Sequence, residues 1–152
     1  MNDSNTATGT RTVTVEREIP HPPEKIWRAL TTQHLIEEWL MKNDFGLDLG
    51  HRFQLRGDWG QVECEILDVD PGRTLSYSWN HPHADPAFDL ESVVTFTLEP
   101  AGEPAGVGTL LRVEQTGFRP EQKQAFGGAQ GGWRIHLENL EKTVAALDGA
   151  RA

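Results

Sequence analysis

The stretch GWRIHLENLEKTVAAL, residues 132–147, repeats apolar residues at intervals of four, three, four and three positions. The residues in this series are Trp133, Leu137, Leu140, Val144 and Leu147. Because an α-helix makes one turn in 3.6 residues, they share one apolar stripe along about four turns. The pattern predicts a long C-terminal helix that must pack this stripe against another apolar surface.

A glycine-rich run, GGAQGG at residues 127–132, leads into this stripe. Each glycine in a helix interior costs about 1 kcal/mol relative to alanine. We therefore expect a break or a mobile turn at the start of the long helix.

Upstream, the spacing of the apolar residues changes to two. Within residues 12–19, threonine and glutamate alternate with Val13, Val15, Arg17 and Ile19. Similar alternation recurs in residues 52–57, 61–69, 75–79, 92–99 and 109–117, with turn residues between the segments. A period of two is typical of half-buried strands, so the middle of the chain is predicted to form an antiparallel meander.

Two short helices are predicted after the first strand. Pro22 and Pro23 end the strand and begin a helix with apolar positions at 26, 27 and 30, and positions 35, 36, 39 and 40 mark a second helix. The apolar faces of all these elements are buried only if the sheet curls around the last helix, which makes the fold class α+β.

Three stretches resemble those of one superfamily, in the same order. They are PPEKIWRALT at 22–31, VDPGRTLSYSW at 69–79, and Gly132-Trp133 followed by Leu137 and Leu140. Over residues 11–147 the chain resembles the START-like (SRPBCC) superfamily and, within it, the activator-of-heat-shock-ATPase-homologue-like family. The resemblance implies a helix-grip, birch-pollen-allergen-like fold, with about seven antiparallel strands around the long helix. It also implies a cavity that in many relatives holds a lipid, hormone or polyketide.

One departure from the family bears on function. The eukaryotic co-chaperone that gives the family its name carries its principal chaperone contacts in a separate N-terminal domain, whereas only about ten residues precede the shared domain here. The resemblance therefore supports the fold more than it supports ATPase activation. We expect a disordered tail at 1–10, a single domain at 11–148 and a short tail at 149–152.

Composition excludes several classes of partner. A net charge of -9 and a pI near 5.1 oppose binding to nucleic acid or anionic lipid, both of which require clustered lysine and arginine. No run of eighteen apolar residues could span a bilayer, and the only cysteine, Cys64, cannot form an intramolecular disulfide. We expect a soluble, cytoplasmic monomer or homodimer.

Large aromatic side chains on the inward faces are the first candidates for a ligand pocket. They are Trp27, Trp39, Phe53, Tyr77, Trp79, Phe96 and Trp133. Ordinary core packing is the competing interpretation, because a small domain needs buried aromatic residues in any case.

Three polar residues are further candidates. Arg17 and Gln115 occupy the apolar phase of their strands, where each needs a partner or a cavity water, although either could instead satisfy itself near a strand end. His136 on the long helix could act as an acid or a base in a cavity, or could be structural.

The sequence offers little that indicates a metal site or a catalytic site. His81, His83 and Asp85 have a spacing compatible with metal binding, but Pro82 and Pro86 indicate a solvated loop. We therefore predict no metal and no cofactor. No nucleophile motif is present, so the prediction leans away from an enzyme.

Our leading hypothesis is a protein that binds a small apolar or aromatic ligand between sheet and helix, with the loop at residues 81–88 closing one mouth. The alternative is a co-chaperone-like or stress-response module that binds a chaperone or another protein through its sheet surface. A polyketide cyclase or hydrolase ranks third, with His136 and Tyr77 as the acid-base candidates.

Overall fold

The computed structural model describes residues 10–58, 60–85, 88–104 and 106–151, with side chains as far as residue 147. The tail predicted at residues 1–10 therefore lies, except for Thr10, outside the described residues. Of the short tail predicted at residues 149–152, residue 152 also lies outside them, whereas residues 149–151 continue the last helix.

The described chain forms one sheet and three helices. The elements are β1 (Arg11–Ile19), α1 (Pro23–Thr31), α2 (Gln33–Trp39), β2 (Lys42–Asn43), β3 (Arg52–Gly57), β4 (Gly60–Asp70), β5 (Thr74–His81), β6 (Leu90–Ala101), β7 (Gly108–Phe118) and α3 (Lys123–Arg151). The strands form a seven-stranded antiparallel sheet in the order β1-β7-β6-β5-β4-β3-β2. This confirms the predicted α+β architecture.

The core lies between the concave face of the sheet and α3. Strand β6 illustrates the alternation, because Val94, Phe96 and Leu98 are buried while the residues between them are partly exposed. From the other side, Leu137 and Leu140 of α3 are fully buried. The apolar faces that the period-two pattern predicts for the strands and the period-3.6 pattern predicts for the helix therefore pack together in one layer.

The two short helices close one side of this layer. A proline stands at the start of α1, whose buried residues Ile26, Ala29 and Leu30 form its inner face. The indole Nε1 of Trp39, at the end of α2, donates a 2.8 Å hydrogen bond to the carbonyl oxygen of Ala29. This bond joins α1 to α2 and satisfies the buried indole N–H.

The expected break at residues 127–132 is wrong, because α3 is continuous from Lys123. Its start is anchored by Gln122, which is 1% exposed and whose Nε2 donates a 2.7 Å hydrogen bond to the carbonyl oxygen of Asp89. Phe126 packs edge-on against Phe118 of β7, with 5.6 Å between ring centroids. These tertiary contacts hold the first turns of the helix and outweigh the low helix propensity of the glycines.

Replacing Gly127 or Gly131 with alanine is expected to raise the free energy of unfolding by about 1 kcal/mol each. Both are in the helix interior, and a Cβ at either would meet no atom within 4 Å. Urea denaturation of each variant measures the change. A loss of stability would contradict a continuous helix through the run.

Candidate ligand-binding site

A cleft of about 790 Å³ opens beside the N-terminal half of α3. On α3, the lining includes Ala125, Gly128, Ala129 and Gly132, which contribute little or no side chain. The lining residues outside α3 come from the segment directly after α2, from strands β4 to β7, and from the loop after β5. The lining is predominantly apolar, and the polar side chains among its described residues are three histidines and two glutamines.

The glycines of the cleft are not required by packing within the protein. A Cβ placed on Gly128 or Gly132 would meet no atom within 4 Å. Larger side chains at these positions would therefore project into free space along the cleft. The absence of side chains at these two positions keeps this part of the cleft open.

A chain of hydrogen bonds fixes the polar floor of the cleft. The indole Nε1 of Trp133 donates to Oε1 of Gln115 over 2.8 Å, and Nε2 of Gln115 donates to Oγ of Ser92 over 3.0 Å. The Ser92 hydroxyl in turn donates to the carbonyl oxygen of Trp79 over 2.6 Å. The chain holds the indole of Trp133, and the ring of Trp79 lies 5.3 Å from it at the cleft wall.

The variant Gln115→Leu is expected to lose about 1–3 kcal/mol of unfolding free energy, because it leaves the buried N–H of Trp133 without its acceptor. Urea denaturation measures the loss. The matched control is Gln124→Leu, which changes an exposed glutamine at the same cleft and should alter stability little. Equal effects of the two variants would contradict the role of the buried network.

His136 faces the cleft one helical turn after Trp133, with 5.5 Å between the two rings. Burial lowers the pKa of His136 below its ordinary value of 6.5, while a hydrogen bond with the backbone of Trp39 opposes this shift. Burial thus favours the neutral imidazole.

The depressed pKa predicts a specific pH dependence of stability. Because the unfolded chain takes up a proton at His136 more readily than the folded chain, stability from this group is complete above pH 6.5 and declines as the pH falls towards the folded pKa. We expect His136→Asn to flatten the fall in melting temperature below pH 6.5. The control His34→Asn, at an exposed position on α2, should leave the slope unchanged.

The loop between β5 and β6 contributes His83 and Phe88 to the lining. Their rings lie 5.4 Å apart, and Nδ1 of His83 accepts a 2.9 Å hydrogen bond from the backbone N–H of Asp85. The Asp89 carboxylate accepts a bond from the backbone N–H of His83, and the Asp89 carbonyl accepts one from Gln122. The loop is therefore tied to the start of α3. Within the described part of the chain, no group of three side chains is placed to bind a metal.

Four of the predicted ligand-binding residues meet at the cleft: Trp79, Gln115, Trp133 and His136. The remaining six do not line it. Buried core positions are occupied by Trp39, Phe53, Tyr77 and Phe96, and Trp27 is half-buried against the same core. Arg17 lies elsewhere, with its Nε 2.7 Å from the Glu141 carboxylate.

Two buried groups that could have carried chemistry are held neutral. Burial raises the pKa of the Tyr77 phenol well above its ordinary value. Burial also raises the pKa of the Cys64 thiol, which opposes the thiolate that a nucleophile requires.

None of the small or aliphatic lining residues is among the ligand-binding residues predicted from the sequence. On α3, positions 125, 128, 129 and 132 share the face of Trp133 and His136 at helical spacing. That spacing was a usable signal, and it was overlooked because the glycines were interpreted as a break.

The fold and the cleft together define the class. A curved antiparallel sheet around a long C-terminal helix, with two short helices after the first strand, is the START-like helix-grip architecture. The model of the family described as "Activator of Hsp90 ATPase homolog 1-like protein" matches residues 20–145, and the chain belongs to that family. No curated protein matches the chain.

Solved structures show the same architecture. Protein MLL2253 from Mesorhizobium loti is 60% identical, with a TM-score of 0.85 over 90% of this chain and 98% of that one. CalU16 from Micromonospora echinospora is 25% identical, with a TM-score of 0.72 over 89% and 76%. The Aha1 dimer from Colwellia psychrerythraea shares the fold at 20% identity, with a TM-score of 0.73 over 88% and 96%. Among the described residues, no helix is both long and apolar enough to cross a membrane.

Proposed function

We propose that this protein binds a small apolar or aromatic molecule in the cleft between α3 and the sheet. The observation that carries the proposal is a cleft of about 790 Å³ with a mainly apolar lining and a few convergent polar groups. Ligand sites of drug-sized molecules span about 300–1,000 Å³ and have this composition. An apolar ligand would gain about 25 cal/mol for each Å² removed from water.

The chemistry of the lining favours binding over catalysis. Its polar side chains are histidines and glutamines, with no carboxylate or lysine among the described lining residues to act as a second proton carrier. The only thiol, Cys64, is buried and held in its protonated form. A cyclase or hydrolase mechanism would therefore rest on histidines alone. Burial disfavours the charged form of one of them, His136.

The direct experiment is native mass spectrometry of the protein purified from its own cells, compared with its denatured mass. A thermal-shift screen of fatty acids, flavonoids and polyketides accompanies it. A retained small molecule, or a rise in melting temperature, supports binding by mass action. No adduct and no shift across the screen would reject the cleft as the seat of function and direct attention to protein partners.

A cleft-filling substitution separates stability from binding. Gly128→Leu replaces a poor helix former by a good one at a position that lines the cleft. We expect this variant to be at least as stable as the parent protein and to lose about tenfold or more in affinity for any ligand found, because the leucine occupies ligand volume.

The matched control is Gly127→Leu, one residue away on the same helix and outside the lining. This variant should gain similar helix stability and bind ligand as the parent does. Equal affinities of the two variants would contradict binding at the glycine face of α3.

A further inference from the structure

The direction of the hydrogen-bond chain at the cleft floor is fixed from both ends. An indole N–H can only donate, so the amide oxygen of Gln115 must face Trp133. At the other end, the carbonyl oxygen of Trp79 can only accept, so the Ser92 hydroxyl must donate to it. The Ser92 oxygen is then the acceptor for the Gln115 amide. The orientation of the Gln115 amide is therefore determined by the donor on Trp133 and the acceptor on Ser92.

This orientation leaves one donor unused. The NH₂ group of Gln115 has two hydrogens, and one is donated to Ser92. Among the described residues, no acceptor takes the second hydrogen. Gln115 is 2% exposed, and it lines the cleft. The cleft occupant is thus the available partner for the remaining N–H.

The surroundings make this donor selective. The indoles of Trp79 and Trp133 flank the site, and neither offers an acceptor of comparable strength. A buried donor with no acceptor is unfavourable, so an occupant that brings an acceptor gains relative to one that does not. An occupant with only a donor at this point would place two N–H or O–H donors against each other, and neither would find an acceptor.

We propose that the ligand of this cleft carries a hydrogen-bond acceptor, such as a ketone or other carbonyl oxygen, which is bound by the second N–H of Gln115. The apolar body of the ligand then lies along the indole pair and the glycine face of α3. This inference rests on the proposed binding function, and it specifies the chemical class of the ligand.

A matched pair of probes tests the inference on the wild-type protein. Fluorenone and fluorene share a flat three-ring skeleton and differ only in a carbonyl against a methylene group. Burial alone would favour fluorene, which is the more apolar of the two. We expect fluorenone to bind about three- to tenfold more tightly in equilibrium dialysis, the range of one net hydrogen bond.

Two variants identify the donor. Gln115→Met removes the amide and should abolish the preference for fluorenone. Ser92→Ala perturbs the same hydrogen-bond chain but keeps the amide, anchored by Trp133, and should retain the preference. Loss of the preference in both variants, or in neither, would overturn direct donation by Gln115.

A spectroscopic measurement covers the case in which Gln115→Met does not fold. The carbonyl stretch of fluorenone bound to the wild-type protein should move to lower wavenumber than in an alkane solvent. An unshifted stretch would overturn the inference. Equal binding of both probes would also overturn it while leaving the binding function intact, whereas no binding of either probe would count against both.

Discussion

The attachment of α3 to the sheet depends on the hydrogen bond that the buried indole N–H of Trp133 makes with β7. Trp133 is 2% exposed, so its N–H must find an acceptor inside the protein, and Gln115 of β7 provides it. The amide of Gln115 donates a second hydrogen bond of the chain to Ser92 of β6, and Ser92 donates to the backbone of β5. One tryptophan thereby links the helix to three strands of the sheet beside the cleft.

The two halves of α3 then perform different tasks. In the C-terminal half, Leu137, Leu140 and Val144 fill the space against the sheet and are fully buried. In the N-terminal half, alanine and glycine residues leave that space empty, although Gln122 and Phe126 anchor the helix start. The helix can line a void at this point because contacts hold it on both sides of the cleft, through Gln122 and Phe126 before it and through the buried leucines after it.

The fold could be predicted because the spacing of apolar residues shows which side of each strand or helix is buried. Examples are the alternation around Phe96 and the apolar stripe through Leu140. Trp79 and Gln115 were found at the site by the same signal. Phe53 and Tyr77 gave an identical signal yet fill the core, because strand phase identifies a face but not the position of a void along it. Gly128 and Gly132 were misassigned because α3 is kept continuous by tertiary contacts, such as the bond from Gln122 to Asp89, that helix propensity does not include.

The cleft is best explained as a feature that the chain maintains against its own stability. Gly128 and Gly132, in the helix interior, each lower the free energy of unfolding by about 1 kcal/mol relative to alanine, although a Cβ would fit at both positions. That is a sizeable part of the 5–15 kcal/mol by which a domain of this size is typically stable. Packing within the protein does not require these glycines, and neither does backbone conformation, since neither adopts a positive φ. What remains is the free volume beside the indole pair, which is the volume in which we propose that a ligand binds.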